Sequence, residues 1–116
     1  MSRQLAERRG RKGESIAAWW LRLHGWRILA VRARTPVGEV DLIARRFRTV
    51  AFIEVKARAT SAELDLAIDR HRLTRVAAAA EYLAARYARP RDDIRIDVIL
   101  LSPKRLPCHL VNVWHG

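Results

Sequence analysis

The chain has 116 residues, half of them hydrophobic, with 23 basic against 12 acidic side chains and a formal net charge of +11. That length leaves room for one domain and no separate catalytic module, and the hydrophobic content excludes wholesale disorder. The charge excess predicts a polyanionic partner, most simply nucleic acid, while the lone Cys108 excludes an internal disulfide and fits a reducing compartment.

In chain order, residues 1–12 carry Arg3, Arg8, Arg9, Arg11 and Lys12 with little apolar material, and read as a basic N-terminal arm or a frayed helix start. No apolar signal-peptide core follows them, and no run of 18 apolar residues occurs, so a cytoplasmic protein with no membrane partner is expected. Residues 13–116 read as the single folded domain. In ESIAAWWLRLHG, Ile16, Trp19, Trp20 and Leu23 recur at helical spacing, which predicts a helix over 13–24 with that stripe facing the core and Gly25 as its C-terminal cap. WRILAVRA then reads as a strand and RTPVG as a loop.

GEVDLIARRFRTVAFIEVKAR reads as a hairpin, because both of its apolar runs are rich in β-branched and aromatic residues. A turn centred between Phe47 and Arg48 sets Ile43 against Phe52, Asp41 against Glu54 and Glu39 against Lys56. Downstream, Leu73, Val76, Ala77, Ala80, Leu83 and Tyr87 keep a helical stripe, with Asp69 as N-cap. IRIDVILLS is a buried strand expected to lie parallel to an earlier one, and HLVNVWH a final strand. The fold class is α/β, a mixed sheet flanked by helices in the order α-β-β-β-α-β.

Carboxylates are rarely buried unless paired or bound to a cation, yet Asp41 and Glu54 each interrupt an apolar run. Two such groups about 5 Å apart repel, and a divalent cation removes the repulsion. Mg²⁺ or Mn²⁺ suits this donor set: the Asp41 and Glu54 carboxylates plus the backbone carbonyl of Val55, completed by water and substrate phosphate. Lys56, on the same face as Glu54, would orient or deprotonate the attacking water or offset transition-state charge. The chain uses 20 Arg against 3 Lys, so a Lys here points to a compact amine that can lose its proton. The plain alternative is a charged, solvated hairpin. Arg45, Arg46, Arg48 and Arg58 flank the motif and are the candidate phosphate contacts. His24, His71, His109, His115 and Cys108 lack zinc-ligand spacing. Asp97 reads as a structural partner of Arg95, Asp92 and Asp93 as solvated loop charges, and Trp114 as core.

The pattern D-x(12)-E-x-K, on a hairpin preceded by a helix with an acidic residue, resembles the PD-(D/E)xK nuclease superfamily. GEVDLIA followed by AFIEVKAR is similar to the YraN-like bacterial family, described as uncharacterised and related to archaeal Holliday-junction resolvases. The likeness extends to GESIAAWWLRLHGWRIL before the hairpin and IRIDVILL after the long helix. It implies a restriction-endonuclease-like fold with Asp41, Glu54 and Lys56 at a metal site, and Glu14 as a further catalytic carboxylate. Glu39 recurs in the family pattern. The chain departs from that pattern at Ala33 and Arg34, where Asn is common, and at Arg70-His71-Arg72, where a Lys-Gln pair is common. The expected function is metal-dependent hydrolysis of phosphodiester bonds in structured or branched DNA. A DNA-processing accessory protein that binds nucleic acid with little cleavage is the alternative, and a protein-interaction module is the third reading. Homodimerisation is left open.

Overall fold

A computed structural model describes residues 3–57 and 70–114, with side chains from Lys12 onward. Helix α1 (Arg3–Leu23) is followed by strands β1 (Arg27–Thr35), β2 (Gly38–Arg46) and β3 (Thr49–Ala57). Helix α2 (Arg70–Tyr87), strand β4 (Asp93–Leu101) and the short strand β5 (Cys108–Leu110) complete the chain order. The five strands form one sheet in the order β1-β2-β3-β4-β5. Neighbours are antiparallel except β3 and β4, which run parallel as expected for strands separated by a helical crossover. The α-β-β-β-α-β order is therefore present, with a fifth strand added at the edge.

The helices cover opposite faces of the sheet. On the α2 face, Leu73, Val76, Ala80 and Leu83 pack with Val40, Ile43, Val50, Phe52, Ile96 and Val98. On the α1 face, Ala17, Ala18 and Leu21 pack with Leu42, Ala44, Ala51, Ile53 and Ile99. Burial of two apolar layers around β3 makes that strand central, and it is the strand that carries Glu54 and Lys56. α2 lies very close to the start of β2: a Cβ on Gly38 would stand 2.3 Å from the Arg75 carbonyl oxygen, so only glycine fits there.

Helix α1 differs from expectation in where it starts and in the face it buries. It begins at Arg3, so of the two readings of this segment, arm or helix start, the helix start is the one present, despite Gly10 and Gly13 within it. It stops where expected: Gly25 has φ +85°, and the Trp26 N–H donates to the Leu21 carbonyl, closing a Schellman-type cap. The face is the larger correction. Ala17 and Leu21 are fully buried, whereas Ile16, Trp19 and Leu23 are exposed, Trp19 at 63%. Two apolar stripes lie side by side on this helix, and the sheet takes the one with small residues because they permit a closer approach.

Asp97 holds the C-terminal segment to β4, as its expected structural role requires. It is fully buried and accepts from Arg95 Nε at 3.1 Å and Nη2 at 2.9 Å, from His109 Nε2 at 2.8 Å and from the Asn112 N–H at 2.9 Å. Burial alone would raise its carboxyl, but the hydrogen bonds from His109, Arg95 and Asn112 outweigh burial and hold it below the usual range. Trp114 packs at the margin of the α2-side core, under the Arg70 guanidinium at 5.4 Å.

Candidate functional site

The β2–β3 ladder follows the expected register from Arg46–Thr49 through Ile43–Phe52 to Leu42–Ile53, and ends there. Continued, it would set Val55 against Val40. Instead the Val55 N–H donates to Asp41 Oδ2 at 2.7 Å. The Asp41 side chain thus replaces a main-chain acceptor at the point where the strands part, and the expected cross-strand pairs Asp41–Glu54 and Glu39–Lys56 do not form rungs. Glu39 lies on the surface, 4.0 Å from Arg34, a pairing of little energetic weight.

Asp41 is half-buried and its carboxyl is pushed up to about 7. Burial is the largest cause, followed by the negative charge of Glu54; the Val55 N–H opposes both, Glu14 adds to the rise, and Arg72 lowers it. The expected proximity of Asp41 and Glu54 is therefore felt electrostatically, although the two are not laddered.

Glu54 is 3% exposed and Lys56 5%. Both point to the α2 face, by alternation with Val50 and Phe52 along β3. Lys56 Nζ stands 3.1 Å from Glu54 Oε1, and Arg72 Nη2, from the first turn of α2, stands 2.8 Å from the same oxygen. Neither cation is aligned as a hydrogen-bond donor, so this buried oxygen has charge compensation without a hydrogen bond. Arg72 belongs to the Arg70-His71-Arg72 stretch that departs from the family pattern, and its contact with Glu54 is what sequence reasoning missed. Its signal was its place directly before buried Leu73, at the helix end nearest the hairpin motif.

Glu14 lies at the α1–β1 junction, where its Oε2 accepts from Arg32 Nε at 2.7 Å. Arg32 has φ +53°, a left-handed conformation uncommon outside glycine. The candidate phosphate contacts are placed elsewhere. Arg45 and Arg46 lie toward the turn, roughly 13 Å or more along β2 from Asp41 at about 3.3 Å per residue. Arg45 donates through two nitrogens to Asp92 and reaches the Tyr87 carbonyl. Asp92 is consequently not a free loop charge: its carboxyl is held down to about 2, first by the Arg45 hydrogen bond and then by the Arg89 N–H. Arg46 lies over the Trp26 ring at 4.5 Å and donates to the His24 carbonyl. Arg48 is exposed in the turn, and Arg58 lies outside the described residues.

A hard divalent cation would find two carboxylates here, Asp41 and Glu54, and the carbonyl of Val55. The Val55 N–H faces Asp41, and in an extended strand the carbonyl of the same residue leaves toward the same edge. Among the described residues no three His, Cys, Asp or Glu side chains converge as a metal-binding group. Two carboxylates and a carbonyl make a small oxygen donor set, the kind that a hard divalent cation completes with water. The unbonded Glu54 oxygen and the raised Asp41 carboxyl are what such an ion would relieve. Among the described residues no helix is long and apolar enough to cross a membrane.

Residues 13–101 match the family model described as Uncharacterised protein family UPF0102. A UPF0102 protein of Sphingopyxis alaskensis is 72% identical over 114 residues, covering 98% of each chain. Another, of Rhizorhabdus wittichii, is 63% identical over 114 residues, covering 98% of this chain and 97% of the relative. A third, of Erythrobacter litoralis, is 60% identical over 114 residues and 98% of each. The matched span contains the whole β2–β3 hairpin and both helix faces of the sheet. The chain belongs to family UPF0102, the bacterial family to which the hairpin's YraN-like resemblance pointed.

Proposed function

We propose that this protein is a Mg²⁺- or Mn²⁺-dependent endonuclease that hydrolyses phosphodiester bonds in structured or branched DNA. The observation that carries this reading is the β2–β3 split: Asp41 reaches across it to the Val55 N–H, beside a buried Glu54 whose Oε1 lacks a hydrogen bond. Asp41, Glu54 and the Val55 carbonyl would hold the ion, which would supply Lewis-acid stabilisation of charge on the phosphoryl oxygens. Lys56, fixed against Glu54, orients the attacking water and offsets charge developing on the phosphate. Glu14 keeps Arg32 turned toward the same end of β2, where the guanidinium positions substrate phosphate. The net charge of +11 supports a nucleic-acid substrate, and binding should weaken with salt at about the 0.9 power per phosphate neutralised on a duplex.

One observation favours the second reading, DNA binding with little cleavage. Lys56 and Arg72 already neutralise Glu54, so an incoming cation must compete with two resident ones. Incubation of the protein with fork, flap, junction and linear DNAs in Mn²⁺ separates the readings. Cleavage of branched substrates that falls roughly a thousandfold in Asp41→Asn and Glu54→Ala, the rate equivalent of several kcal/mol of lost stabilisation, is the expected result. Salt-sensitive binding without turnover would establish the second reading, and a flat salt dependence would remove both.

A further inference from the structure

The apolar stripe that α1 turns away from the sheet meets the rest of the molecule at Trp19. It borders a groove of about 350 Å³ between α1 and β1, whose walls include Trp19, Arg22, Val31, Arg32, Leu42 and Glu14. Trp19 is 63% exposed and Val31, on the edge strand, 53%. An exposed tryptophan with an exposed branched side chain beside it forms an apolar patch that folding alone does not require. Two cations border the patch: the Arg22 guanidinium lies over the Trp19 ring at 5.5 Å, and Arg32 stands in the groove wall, tied at 2.7 Å to the Glu14 carboxylate of the same wall. Arg32 holds that place through a left-handed backbone conformation, the kind of local strain that collects at binding sites. The groove opens on the α1 face, across the sheet from Glu54 and Lys56, and meets the proposed site through Glu14, a wall residue whose charge reaches Asp41.

We infer that this groove holds an unpaired nucleotide of the substrate strand, with its base on Trp19 and its phosphate between Arg22 and Arg32. This rests on the nuclease reading and narrows its substrate to nucleic acid with an unpaired segment beside the cut. The chemistry selects that occupant. An aromatic platform flanked by guanidinium groups binds bases by stacking and backbone by charge, without reading sequence. A duplex keeps its bases stacked inside, and a groove of this size admits one splayed base and not a double helix. A protein segment docking on the same patch would have to bring acidic groups to Arg22 and Arg32, whereas this strongly basic chain disfavours a second copy of itself.

The test is anisotropy of fluorescein-labelled oligothymidine and of a blunt duplex of equal length, in EDTA so that binding is read without cleavage. Trp19→Ala should weaken oligothymidine binding by roughly 5- to 150-fold, the range for loss of one stacking platform, and leave duplex binding within about twofold. Trp19→Phe should restore most of the lost affinity. Oligothymidine should also quench tryptophan fluorescence in wild type, with much of that quench gone in Trp19→Phe, which serves even if the alanine variant folds poorly. Unchanged oligothymidine binding in Trp19→Ala, an equal loss on duplex, or no binding by wild type would overturn the inference. So would sedimentation showing that Trp19→Ala converts a dimer to a monomer, because a second copy would then fill the groove. Glu54→Gln separates the two readings: it should abolish Mn²⁺-dependent cleavage and retain oligothymidine binding. Cleavage that stays branched-substrate-specific in Trp19→Ala would sink the groove and leave the catalytic site standing.

Discussion

Asp97 and Glu54 are buried carboxylates of one sheet and Asp41 is a half-buried one, and the two regions are treated in opposite ways. Asp97 accepts four hydrogen bonds, from Arg95, His109 and Asn112, and is held as the anion despite complete burial. Because an ionised carboxylate only accepts, the Nε2 of His109 carries the proton between them. Asp41 has one backbone donor and a carboxyl raised to about 7, and Glu54 Oε1 has cations near it but no hydrogen bond. A buried charge whose lone pairs are all used is finished as structure. One that is left short is held ready for another ligand, and that contrast makes the hairpin a candidate site while the Asp97 cluster is a staple.

The largest effect should come from the staple. Asp97→Ala leaves the His109 ring, the Asn112 N–H and the Arg95 guanidinium facing an empty acceptor, and should cost about 3–5 kcal/mol in urea unfolding, as breaking a buried ion pair does. A loss under about 1 kcal/mol would mean that these donors find water easily, and the distinction between the two regions would collapse.

Within the site the two carboxylates should part company. Glu54→Gln in EDTA strips the counter-charge from Lys56, which is 5% exposed and cannot swing to solvent as the outer end of Arg72 can. That should cost about 2–3 kcal/mol. The two carboxylates do repel, which on its own argues that removing either charge is harmless; for Glu54 the buried ammonium beside it overrides that reasoning. Asp41→Asn should melt no lower than wild type in EDTA at pH 8, since Asn can still accept from the Val55 N–H while the poorly solvated charge is gone. If Asp41→Asn proves the more destabilising of the two, Asp41 belongs with Asp97 as structure.

The pH dependence states the same contrast with a sign. The folded carboxyl of Asp41 lies near 7, above its ordinary 3.8, so the unfolded chain releases this proton first as pH rises. The contribution is fully present below about 3.8 and is lost as pH climbs through about 7, at up to about 1.4 kcal/mol per pH unit. Asp97, held below its ordinary value, acts oppositely: its contribution is present at neutral pH and lost on acidification. Unfolding curves in EDTA from pH 4 to pH 8 should therefore show a decline in wild type that Asp41→Asn abolishes. Mn²⁺ affinity should rise over the same interval, because the ion displaces that proton.

Much of this was legible in the sequence, and the failures have physical causes. The hairpin register followed from one turn position and strict alternation, and it held for every rung that forms. It could not show where the rungs stop, since register arithmetic takes the strands to stay together, and the site exists because they part at Asp41. Periodicity announced an apolar stripe on α1 but not which of two adjacent stripes faces the sheet; the bulk of Trp19 argued for the wrong one. Asp92 looked solvated because its partner, Arg45, is distant in sequence and arrives only when β2 and the α2–β4 connection meet. The contact of Arg72 with Glu54 was hidden for the same reason; together with Glu14 it brings charge to the site from outside the hairpin.

Arg72 yields the smallest effect and the finest test. Its Nη2 lies 2.8 Å from Glu54 Oε1, the oxygen a cation would need, so ion and guanidinium compete for one acceptor. The Arg72 side chain is 53% exposed, and a pair with one end in water contributes about 0.2–1 kcal/mol. Removing it should therefore tighten Mn²⁺ binding by only about 1.4- to 5-fold at pH 8 in a calorimetric titration, with little change in melting temperature. Arg95→Ala is the matched control from the other region: it strips a guanidinium from a carboxylate that still keeps the His109 and Asn112 donors, and should leave Mn²⁺ binding unchanged. Weaker Mn²⁺ binding in Arg72→Ala would show that Arg72 supports the ion and does not displace it. Glu54 would then be positioned by its cations in the way Asp97 is positioned by its donors.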